Sequence, residues 1–336
     1  VMTTQAPTIL PPTESGIARA AKALRDGAVV AFGTETVYGL GGDAGNPQAV
    51  AQVFALKERP SKNPLICHVD GLNMAKTIAR VDALAETLIH QFWPGPLTLI
   101  LPYLDNDSVA ETARAGLGTV AVRAPAHDTA RALLTAVGRP VVAPSANKSG
   151  RLSPTTALMV ADAFGDELPL ILSGGKCAIG LESTVLDMTG ETPTILRPGA
   201  ITAEDLEACL PSVASLGDTA EPNAPVSPGL LLRHYAPRLP LRMDVREGPI
   251  PETEAFIGFG PNPFKPKGGF LRKNLSKSGD LEEAAYHLFA LLREVEDSGA
   301  ESIAISPIPE TGIGIAINDR LRRAAAASQL EASTDE

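Results

Sequence analysis

The stretch NPQAVAQVFALKERPSKNPLICHV, Asn46 to Val69, predicts a helix and a buried strand joined by a short polar loop. Asn46 is suited to cap a helix and Pro47 to its first turn, whereas Pro60 ends the helical pattern. The same alternation continues on both sides, with AVVAF before the stretch and LTLIL, TVAVR, PVVAP and STVLDM after it. Strands that alternate with helices predict an α/β domain with a largely wrapped, mixed sheet.

A second, smaller domain is expected toward the C-terminus. The chain has 336 residues, and a single hydrophobic core rarely grows beyond about 250–300 residues. From about Leu210 to Pro240 the sequence is rich in Pro and Gly and loses its periodicity, which indicates an interdomain linker. Beyond it, AFIGFG predicts a strand, DLEEAAYHLFALLREVED a helix with an Asp280/Glu283 capping box, and SIAIS another strand before a last helix from about Asn318.

Composition excludes several classes of protein. No apolar run approaches the roughly 20 residues that cross a bilayer, and the N-terminal stretch lacks the pattern of a secretory signal, so we expect a cytoplasmic protein without membrane contact. Cys67, Cys177 and Cys209 have no paired spacing, which argues against a disulfide framework or a zinc site. The formal net charge of −10 argues against a general nucleic-acid coat but leaves a local basic site open.

Polar loops follow the predicted strands, and they are the candidate functional segments. GTETVYGLGG, from Gly33, offers close backbone approach to a ligand and the hydroxyls of Thr34, Thr36 and Tyr38. A Gly-rich turn is the ordinary structural alternative. Standard phosphate loops are absent, because the chain contains no G-x-x-x-x-G-K-[ST].

The charged side chains in these loops are ambiguous when taken singly. Lys57, Arg59 and Lys62 lie within a stretch of six residues, although the chain as a whole is acidic. Such a cluster predicts a bound anion, but cations also stabilise a helix C-terminus. Arg123 ends the strand TVAVR, where a surface arginine is the alternative to a carboxylate clamp.

The order of the loops is more specific than any one of them. TETVYGLG, KERPSKNPL, WPGPLTL, GTVAVRAP, APSANKSG and ESTV…ILRPGAI together resemble the YrdC family. SPGLLLRHYAP, from Ser227, and the domain that follows resemble its longer Sua5 form. The resemblance covers nearly the whole chain, and its hallmark is the K-x-R…S-x-N set of Lys57, Arg59, Ser145 and Asn147.

This resemblance implies the domain organisation. Residues 13–209 would form a YrdC-like catalytic domain with a twisted mixed sheet and helices. Residues 210–240 would form a linker or lid, and residues 241–336 a smaller, Rossmann-like α/β Sua5 C-terminal domain.

The resemblance also implies the reaction. Enzymes of the family are threonylcarbamoyl-AMP synthases, which join L-threonine, bicarbonate and ATP to give threonylcarbamoyladenylate and pyrophosphate. A separate transferase then modifies adenosine 37 of tRNAs that read ANN codons. Mg²⁺ would accompany ATP, held mainly by phosphate and water rather than by side chains. A weak direct contact with tRNA stays open.

Roles for individual residues follow from the same resemblance. The catalytic set would be Lys57, Arg59, Ser145 and Asn147. The nucleotide contacts would be Arg59, Asn63, Thr119, Ser145, Ser153, Arg197 and Tyr235. The threonine contacts would be Thr36, His68, Arg123, Ala143 and Ser183, with Arg123 on the carboxylate. For His68, a buried and satisfied core histidine is the alternative.

Two other functions stay open from the sequence. The YrdC domain is known for a concave, positively charged face able to bind double-stranded RNA, so a non-catalytic RNA-binding or ribosome-maturation factor is one alternative. A carbamoyl-transfer module of the hydrogenase-maturation type is the other. The acidic composition and the aromatic content of 4% weaken the first. The lack of zinc-finger and acylphosphatase-like regions in these residues weakens the second.

Overall fold

The structure is a computed structural model that describes residues 6–215, 235–261 and 266–332, with side chains as far as residue 327. These residues divide into two compact units. The first comprises residues 6–149, 154–178 and 182–215, and the second comprises 150–153, 179–181 and the described residues from 235 onward. Residues 216–234, which make up most of the segment predicted as a linker or lid, lie outside the described residues.

The first unit is built from short strands and helices that alternate along the chain. Its helices are α1 (Glu14–Arg25), α2 (Pro47–Lys57), α3 (Leu72–Ile78), α4 (Ala83–Phe92), α5 (Asp128–Val137), α6 (Ala157–Phe164) and α7 (Ala203–Glu207). Its strands are β1 (Thr8–Leu10), β2 (Val30–Phe32), β3 (Gly39–Asp43), β4 (Ile66–His68), β5 (Leu97–Pro102), β6 (Thr119–Arg123), β7 (Val141–Val142), β8 (Leu170–Leu172), β9 (Thr184–Asp187), β10 (Thr194–Arg197) and β11 (Ala214–Ser215).

Within the described part of this unit, the eleven strands form one sheet in the order β1-β8-β2-β3-β7-β4-β6-β5-β9-β10-β11. Five neighbouring pairs are parallel and five are antiparallel. The predicted mixed sheet is therefore confirmed.

Helices cover both faces of this sheet. Side chains of α2, α3, α4 and α6 join one apolar cluster, and those of α1 and α5 join another. Strand β2 divides its side chains between them, since Ala31 belongs to the first cluster and Val30 and Phe32 to the second. A strand that is buried on both faces has no polar alternation, which explains the continuous apolar run AVVAF.

Helix α2 begins as predicted and ends earlier. The Asn46 side chain accepts hydrogen bonds from the backbone N–H groups of Gln48 and Ala49, and Pro47 occupies the first turn. The helix ends at Lys57, because Glu58 adopts a left-handed conformation with φ of 53°. The sequence predicted that Pro60 ends the helix, but the helix ends before that residue is reached.

The second unit contains a smaller parallel sheet. Its elements are β12 (Leu241–Arg242), β13 (Glu254–Gly258), β14 (Leu271–Asn274), α8 (Leu281–Glu296), β15 (Ser302–Ile305) and α9 (Gly314–Ala332). The four strands follow the order β12-β15-β13-β14, and each neighbouring pair is parallel. The predicted last helix thus begins at Gly314, four residues before Asn318.

The predicted capping box of α8 forms only in part. The Asp280 side chain accepts a hydrogen bond from the backbone N–H of Glu283 at 2.8 Å. The Asp280 N–H, however, donates to the Ser276 hydroxyl at 2.9 Å, and the Glu283 carboxylate accepts from the hydroxyls of Ser276 and Ser278. Neighbouring serines therefore replace the reciprocal half of the box. Among the described residues, no helix combines the length and apolar character that a transmembrane span requires.

Candidate active site

Three of the predicted threonine contacts, Thr36, His68 and Arg123, lie near the ends of β4 and β6. These strands are parallel, and their register places His68 opposite Arg123. Arg123 is buried at the end of its strand, so the surface-arginine alternative is wrong. Its Nε donates to the Gly95 carbonyl at 3.1 Å, and Nη1 donates to the Thr36 hydroxyl at 2.9 Å. Its Nη2 donates to Glu35 Oε1 at 2.5 Å.

The loop that carries Thr36 is held by its own hydroxyl groups. Thr34 Oγ1 donates to the Val37 carbonyl at 2.6 Å and lies 2.9 Å from the Thr36 hydroxyl. Tyr38 does not offer its hydroxyl to a ligand as the sequence had suggested. That hydroxyl donates to the Gly175 carbonyl at 2.7 Å and accepts from the Gly174 N–H at 3.0 Å.

His68 is a buried, neutral imidazole beside this loop. Its Nδ1 lies 3.3 Å from the Ile66 carbonyl, and its ring meets Phe32 edge-on at 6.2 Å. Burial, and then the nearby Arg123 charge, lower the pKa of His68 to about 3. The ring can therefore hydrogen-bond a polar group near neutral pH without adding a charge.

We expect the buried state of His68 to make the protein less stable in acid. Below pH 6.5, His68 is protonated in the unfolded chain, whereas in the folded protein it stays neutral until the pH approaches its pKa of about 3. The free energy of unfolding therefore decreases as the pH falls. Each pKa unit corresponds to about 1.4 kcal/mol, which gives a loss of roughly 2 kcal/mol between pH 6.5 and 5.

Chemical denaturation at both pH values would measure this loss in the native protein, in His68→Gln and in His90→Gln. The exposed His90 on α4 is the matched control. His68→Gln should lose about 2 kcal/mol less than the native protein, and His90→Gln should behave like the native protein. Equal losses in all three would contradict the assignment of a neutral, buried His68.

Lys57 connects the end of α2 to the loop that carries Ser145 and Asn147. Its side chain is 1% exposed, and its Nζ donates to the carbonyl of Ser145 at 2.5 Å and to that of Asn147 at 2.6 Å. Burial, and then the Arg59 charge, lower the pKa of Lys57 well below its usual value. These bonds show that Lys57 orders a distant loop and does more than stabilise a helix end. Direct contact between Lys57 and a phosphate stays a prediction.

The same loop is also bound to the Gly-rich loop by backbone hydrogen bonds. The Ala146 N–H donates to the Tyr38 carbonyl at 2.8 Å, and the Leu40 N–H donates to the Pro144 carbonyl at 2.7 Å. The Ala143 N–H in turn donates to the Ile66 carbonyl of β4 at 3.0 Å. Three segments that are far apart in sequence are thereby held together by backbone hydrogen bonds.

Arg59 and Asn63 form a second buried polar group just after α2. Arg59 Nε donates to the Asn63 carbonyl at 3.3 Å, and its Nη2 donates to the Pro64 carbonyl at 3.1 Å. The Asn63 side chain is buried, and in the part of the chain that the structure describes neither its amide nitrogen nor its amide oxygen has a hydrogen-bond partner. Buried amides are rarely left unsatisfied, which fits the predicted contact of Asn63 with a nucleotide, and that contact stays a prediction.

Arg197 and Ser183 link one predicted nucleotide contact to one predicted threonine contact. Arg197 Nε donates to the Ser183 carbonyl at 3.1 Å, and Nη2 donates to the Ser183 hydroxyl at 3.1 Å. The Ser183 hydroxyl is also 2.7 Å from the Thr98 hydroxyl. Gly199 allows this packing, because a Cβ there would lie 2.4 Å from the Thr184 nitrogen. A residue predicted to contact the nucleotide thus bonds directly to one predicted to contact threonine.

The remaining predicted contacts fall in different places. Thr119 is the half-buried first residue of β6, paired with Pro102 of β5. Ser153 and Tyr235 belong to the second unit. There the Tyr235 ring stacks on Phe289 at 5.9 Å and lies 5.1 Å from the Arg320 guanidinium. Contact of either residue with a nucleotide stays a prediction.

Two buried carboxylates near these groups were not identified from the sequence. Glu35 pairs with Arg123. The charge of Glu182 raises the pKa of Lys57 and so opposes the effect of burial on that lysine. Glu35 stands within the motif TETVYGLG, where an acid between two threonines could have drawn attention. Nothing local in the sequence singles out Glu182.

A cavity of about 820 Å³ lies elsewhere in the first unit. Its charged lining comprises Arg25, Asp43, Asp70, Asp107 and Arg139, and it includes none of the predicted site residues. Arg139 is paired with the buried Asp43 at 3.0 Å, so part of this charge is already neutralised within the protein. The polar groups described above, rather than this cavity, carry the candidate chemistry.

Known proteins match the chain along most of its length. Residues 22–199 match the Sua5/YciO/YrdC family described as "Telomere recombination", and residues 201–326 match the family described as "Threonylcarbamoyl-AMP synthase, C-terminal domain". The chain is 40% identical over 323 residues to threonylcarbamoyl-AMP synthase of Bacillus subtilis, covering 92% of each chain. It is also 40% identical over 323 residues to that of Pyrococcus abyssi, covering 91% of this chain and 92% of the relative.

Solved structures agree with this match. Pyrococcus abyssi Sua5 complexed with L-threonine has 35% identity and a TM-score of 0.87, covering 96% of this chain and 98% of that chain. A double-alanine variant of the same protein has 32% identity and a TM-score of 0.84, covering 96% and 97%. The chain therefore belongs to the Sua5/YrdC family in its two-domain form, and it is a nucleotidyltransferase-type enzyme of the threonylcarbamoyl-AMP synthase class.

Proposed function

We propose that this enzyme joins L-threonine, bicarbonate and ATP to form threonylcarbamoyl-AMP, pyrophosphate and water. The product would supply a separate transferase that forms N6-threonylcarbamoyladenosine at position 37 of tRNAs reading ANN codons. The observation that carries this proposal is the bond between Arg197 and Ser183, because it joins a cation suited to phosphate to a residue predicted to contact threonine. A site for an amino acid and a site for a nucleotide would then share one wall.

The reaction needs two bond-forming steps. The amine of threonine attacks the carbon of bicarbonate, water leaves, and a carbamate remains. A carbamate oxygen then attacks the α-phosphorus of ATP, the bond from that phosphorus to the bridging oxygen breaks, and pyrophosphate leaves with the electron pair. Positioning and fixed electrostatics dominate transfers of this kind, so no covalent nucleophile is required.

The buried polar groups suit the amino-acid half of this chemistry. The Arg123 guanidinium would bind the carboxylate, since three of its five N–H donors serve to fix its orientation. Thr36, Ser183 and the neutral His68 would surround the hydroxyl and amine, and the backbone at Ala143 would close the pocket. A neutral imidazole offers a hydrogen bond here without repelling Arg123.

The nucleotide half would rest on the second polar group. Arg59 and Arg197 would bind phosphate oxygens, and Asn63 would use its unsatisfied amide. Lys57 and Asn147 would hold the loop that presents Ser145. The further predicted contacts with the nucleotide are Thr119, Ser153 and Tyr235.

Mg²⁺ would arrive with ATP as part of the substrate. Among the described residues, no group of three or more His, Cys, Asp or Glu side chains could hold a metal ion. We propose that phosphate oxygens and water carry the ion, while Arg59 and Arg197 contact the phosphates from the protein. When bound, the ion would neutralise charge on the triphosphate.

A non-catalytic role in binding double-stranded RNA is the alternative from a different class. RNA-backbone binding relies on cations that can reach phosphates from the surface. Lys57, Arg59, Arg123 and Arg197 are all buried, and the chain carries a net charge of −10. Both observations favour a small-molecule site.

Pyrophosphate release from ATP tests the proposal when L-threonine and bicarbonate are omitted in turn. We expect release to require both, and mass spectrometry to detect threonylcarbamoyl-AMP only in the complete mixture. Binding of double-stranded RNA should be measured on the same preparation. Pyrophosphate or phosphate release that continues without threonine, or tight RNA binding without any release, would contradict the proposed reaction.

A further inference from the structure

Glu35 is a buried carboxylate that has one bonded oxygen and one unbonded oxygen. The residue is 8% exposed and stands between Thr34 and Thr36. Its Oε1 accepts a hydrogen bond from Arg123 Nη2, whereas its Oε2 is buried and has no hydrogen-bond partner among the residues that the structure describes. Leaving a buried charged oxygen without a donor is costly. A role limited to holding Arg123 would use Oε1 and leave Oε2 unexplained.

Glu35 also supplies the negative charge that faces Arg123. Cys177 lies close to both residues, but burial raises its pKa to about 12, so its thiol is neutral near pH 7. His68 on the neighbouring strand is neutral as well. Arg123 and Glu35 therefore form a buried ion pair next to these two neutral groups.

A free amino acid carries the matching pair of charges. L-Threonine is a zwitterion, and its carboxylate can bind the remaining donors of Arg123 while its ammonium faces a carboxylate. We infer that Glu35 Oε2 accepts a hydrogen bond from the α-ammonium group of the substrate and thereby selects free amino acids over acids that lack the amine. This inference rests on the proposed function, because it concerns the same threonine site.

The chemistry gives this contact a purpose. The nitrogen that Glu35 would hold is the atom that must form the bond to the carbon of bicarbonate, after the ammonium has released one proton to solvent. An acceptor at a fixed position beside Arg123 determines where that nitrogen lies relative to the carboxylate. Glu35 would therefore be a substrate-binding residue that positions the nucleophile.

The first test is the affinity for L-threonine as a function of pH, measured by calorimetry. In the native protein, affinity should fall as the pH rises through the titration of the amino acid's own ammonium group. Glu35→Gln should bind about tenfold more weakly near neutral pH and lose most of this pH dependence. The pKa of His68 is about 3 and that of Cys177 about 12, so neither of these neighbours titrates between those values.

The second test uses 3-hydroxybutyrate, which keeps the carboxylate, hydroxyl and methyl groups but has no amine. Ligand-observed NMR should show that Glu35→Gln leaves its affinity within about twofold of the native value while threonine affinity falls about tenfold. Equal losses for both ligands would mean that Glu35 only orients Arg123 and would overturn the inference. If the analogue binds neither form, the pH profile decides.

Controls separate the ways in which these experiments can fail. Glu191→Gln removes an exposed carboxylate from the same unit and should change nothing. Glu35→Asp keeps the charge and should retain the pH dependence. It is the variant to measure if thermal melting shows that Glu35→Gln is unfolded. Native protein that fails to bind L-threonine at all would refute the proposed function. Native binding with an unchanged profile in Glu35→Gln would refute only the role of Glu35.

Discussion

Arg123→Ala is expected to reduce kcat/KM for L-threonine by about a hundredfold or more while the affinity for ATP changes little. Truncating one partner of a buried, hydrogen-bonded charge pair costs about 2–5 kcal/mol. The Arg123 side chain donates to Gly95, Thr36 and Glu35, which belong to the proposed amino-acid half of the site. The loss should therefore fall on threonine.

Two features of the site complicate the single substitution. Removing Arg123 leaves Glu35 as a buried charge without its partner, which by itself destabilises a protein by roughly 3–5 kcal/mol. The double variant Arg123→Met with Glu35→Gln removes both charges and restores neutrality. It should recover stability toward the native value but should not recover threonine binding.

Calorimetric titration of threonine and ATP, together with thermal melting, would measure these effects. Arg131→Met on α5 is the matched control, because that arginine is exposed and lies eight residues along the chain. Losses of similar size for ATP and threonine would contradict the assignment of Arg123 to the amino acid. Recovery of threonine binding in the double variant would contradict it as well.

Local sequence patterns predicted the elements on which the site stands. Asn46 and Pro47 mark the start of α2, and the run TVAVR marks β6 with Arg123 at its end. Caps and short apolar runs depend on a few neighbouring residues, so they can be identified without knowing the tertiary structure. The mixed sheet was likewise predictable from strands that alternate with helices.

Contacts that join distant segments could not be predicted in this way. Tyr38 stands in a motif rich in hydroxyls, but its own hydroxyl bonds to Gly174 and Gly175, more than 130 residues away. Glu58 ends α2 in a left-handed conformation, which glycine or asparagine would normally indicate in a sequence and glutamate does not. The pairing of Glu35 with Arg123 spans 88 residues. Each of these depends on which strands become neighbours, and no local pattern encodes that.

Lys57→Met is expected to abolish most synthase activity and to destabilise the protein. The substitution keeps much of the apolar stem but leaves the carbonyls of Ser145 and Asn147 without their charged donor. Hydrogen bonds to charged groups contribute about 1.5–3 kcal/mol each, and buried carbonyls left unsatisfied cost about 1–3 kcal/mol. We therefore expect a loss of roughly 2–4 kcal/mol in the free energy of unfolding.

Activity should fall by about a hundredfold or more, because the loop that presents Ser145 would no longer be held against the end of α2. Lys62→Met is the matched control, since Lys62 is an exposed cation five residues away in the same cluster. It should leave the free energy of unfolding unchanged and the turnover within about twofold of the native value. If Lys62→Met were as damaging as Lys57→Met, a general cationic field rather than an ordered loop would explain the cluster.

The pattern of losses also separates two roles for Lys57. A lysine that only orders the loop should impair the use of both substrates, because Ala143 and Ser145 stand on the same segment and that segment is bonded to β4 and to the Gly-rich loop. A lysine that instead binds a phosphate should raise the KM for ATP and spare threonine binding and stability. The 1% exposure of Lys57 and its two carbonyl partners favour the first outcome. Unchanged stability with a selective loss of ATP affinity would establish the second.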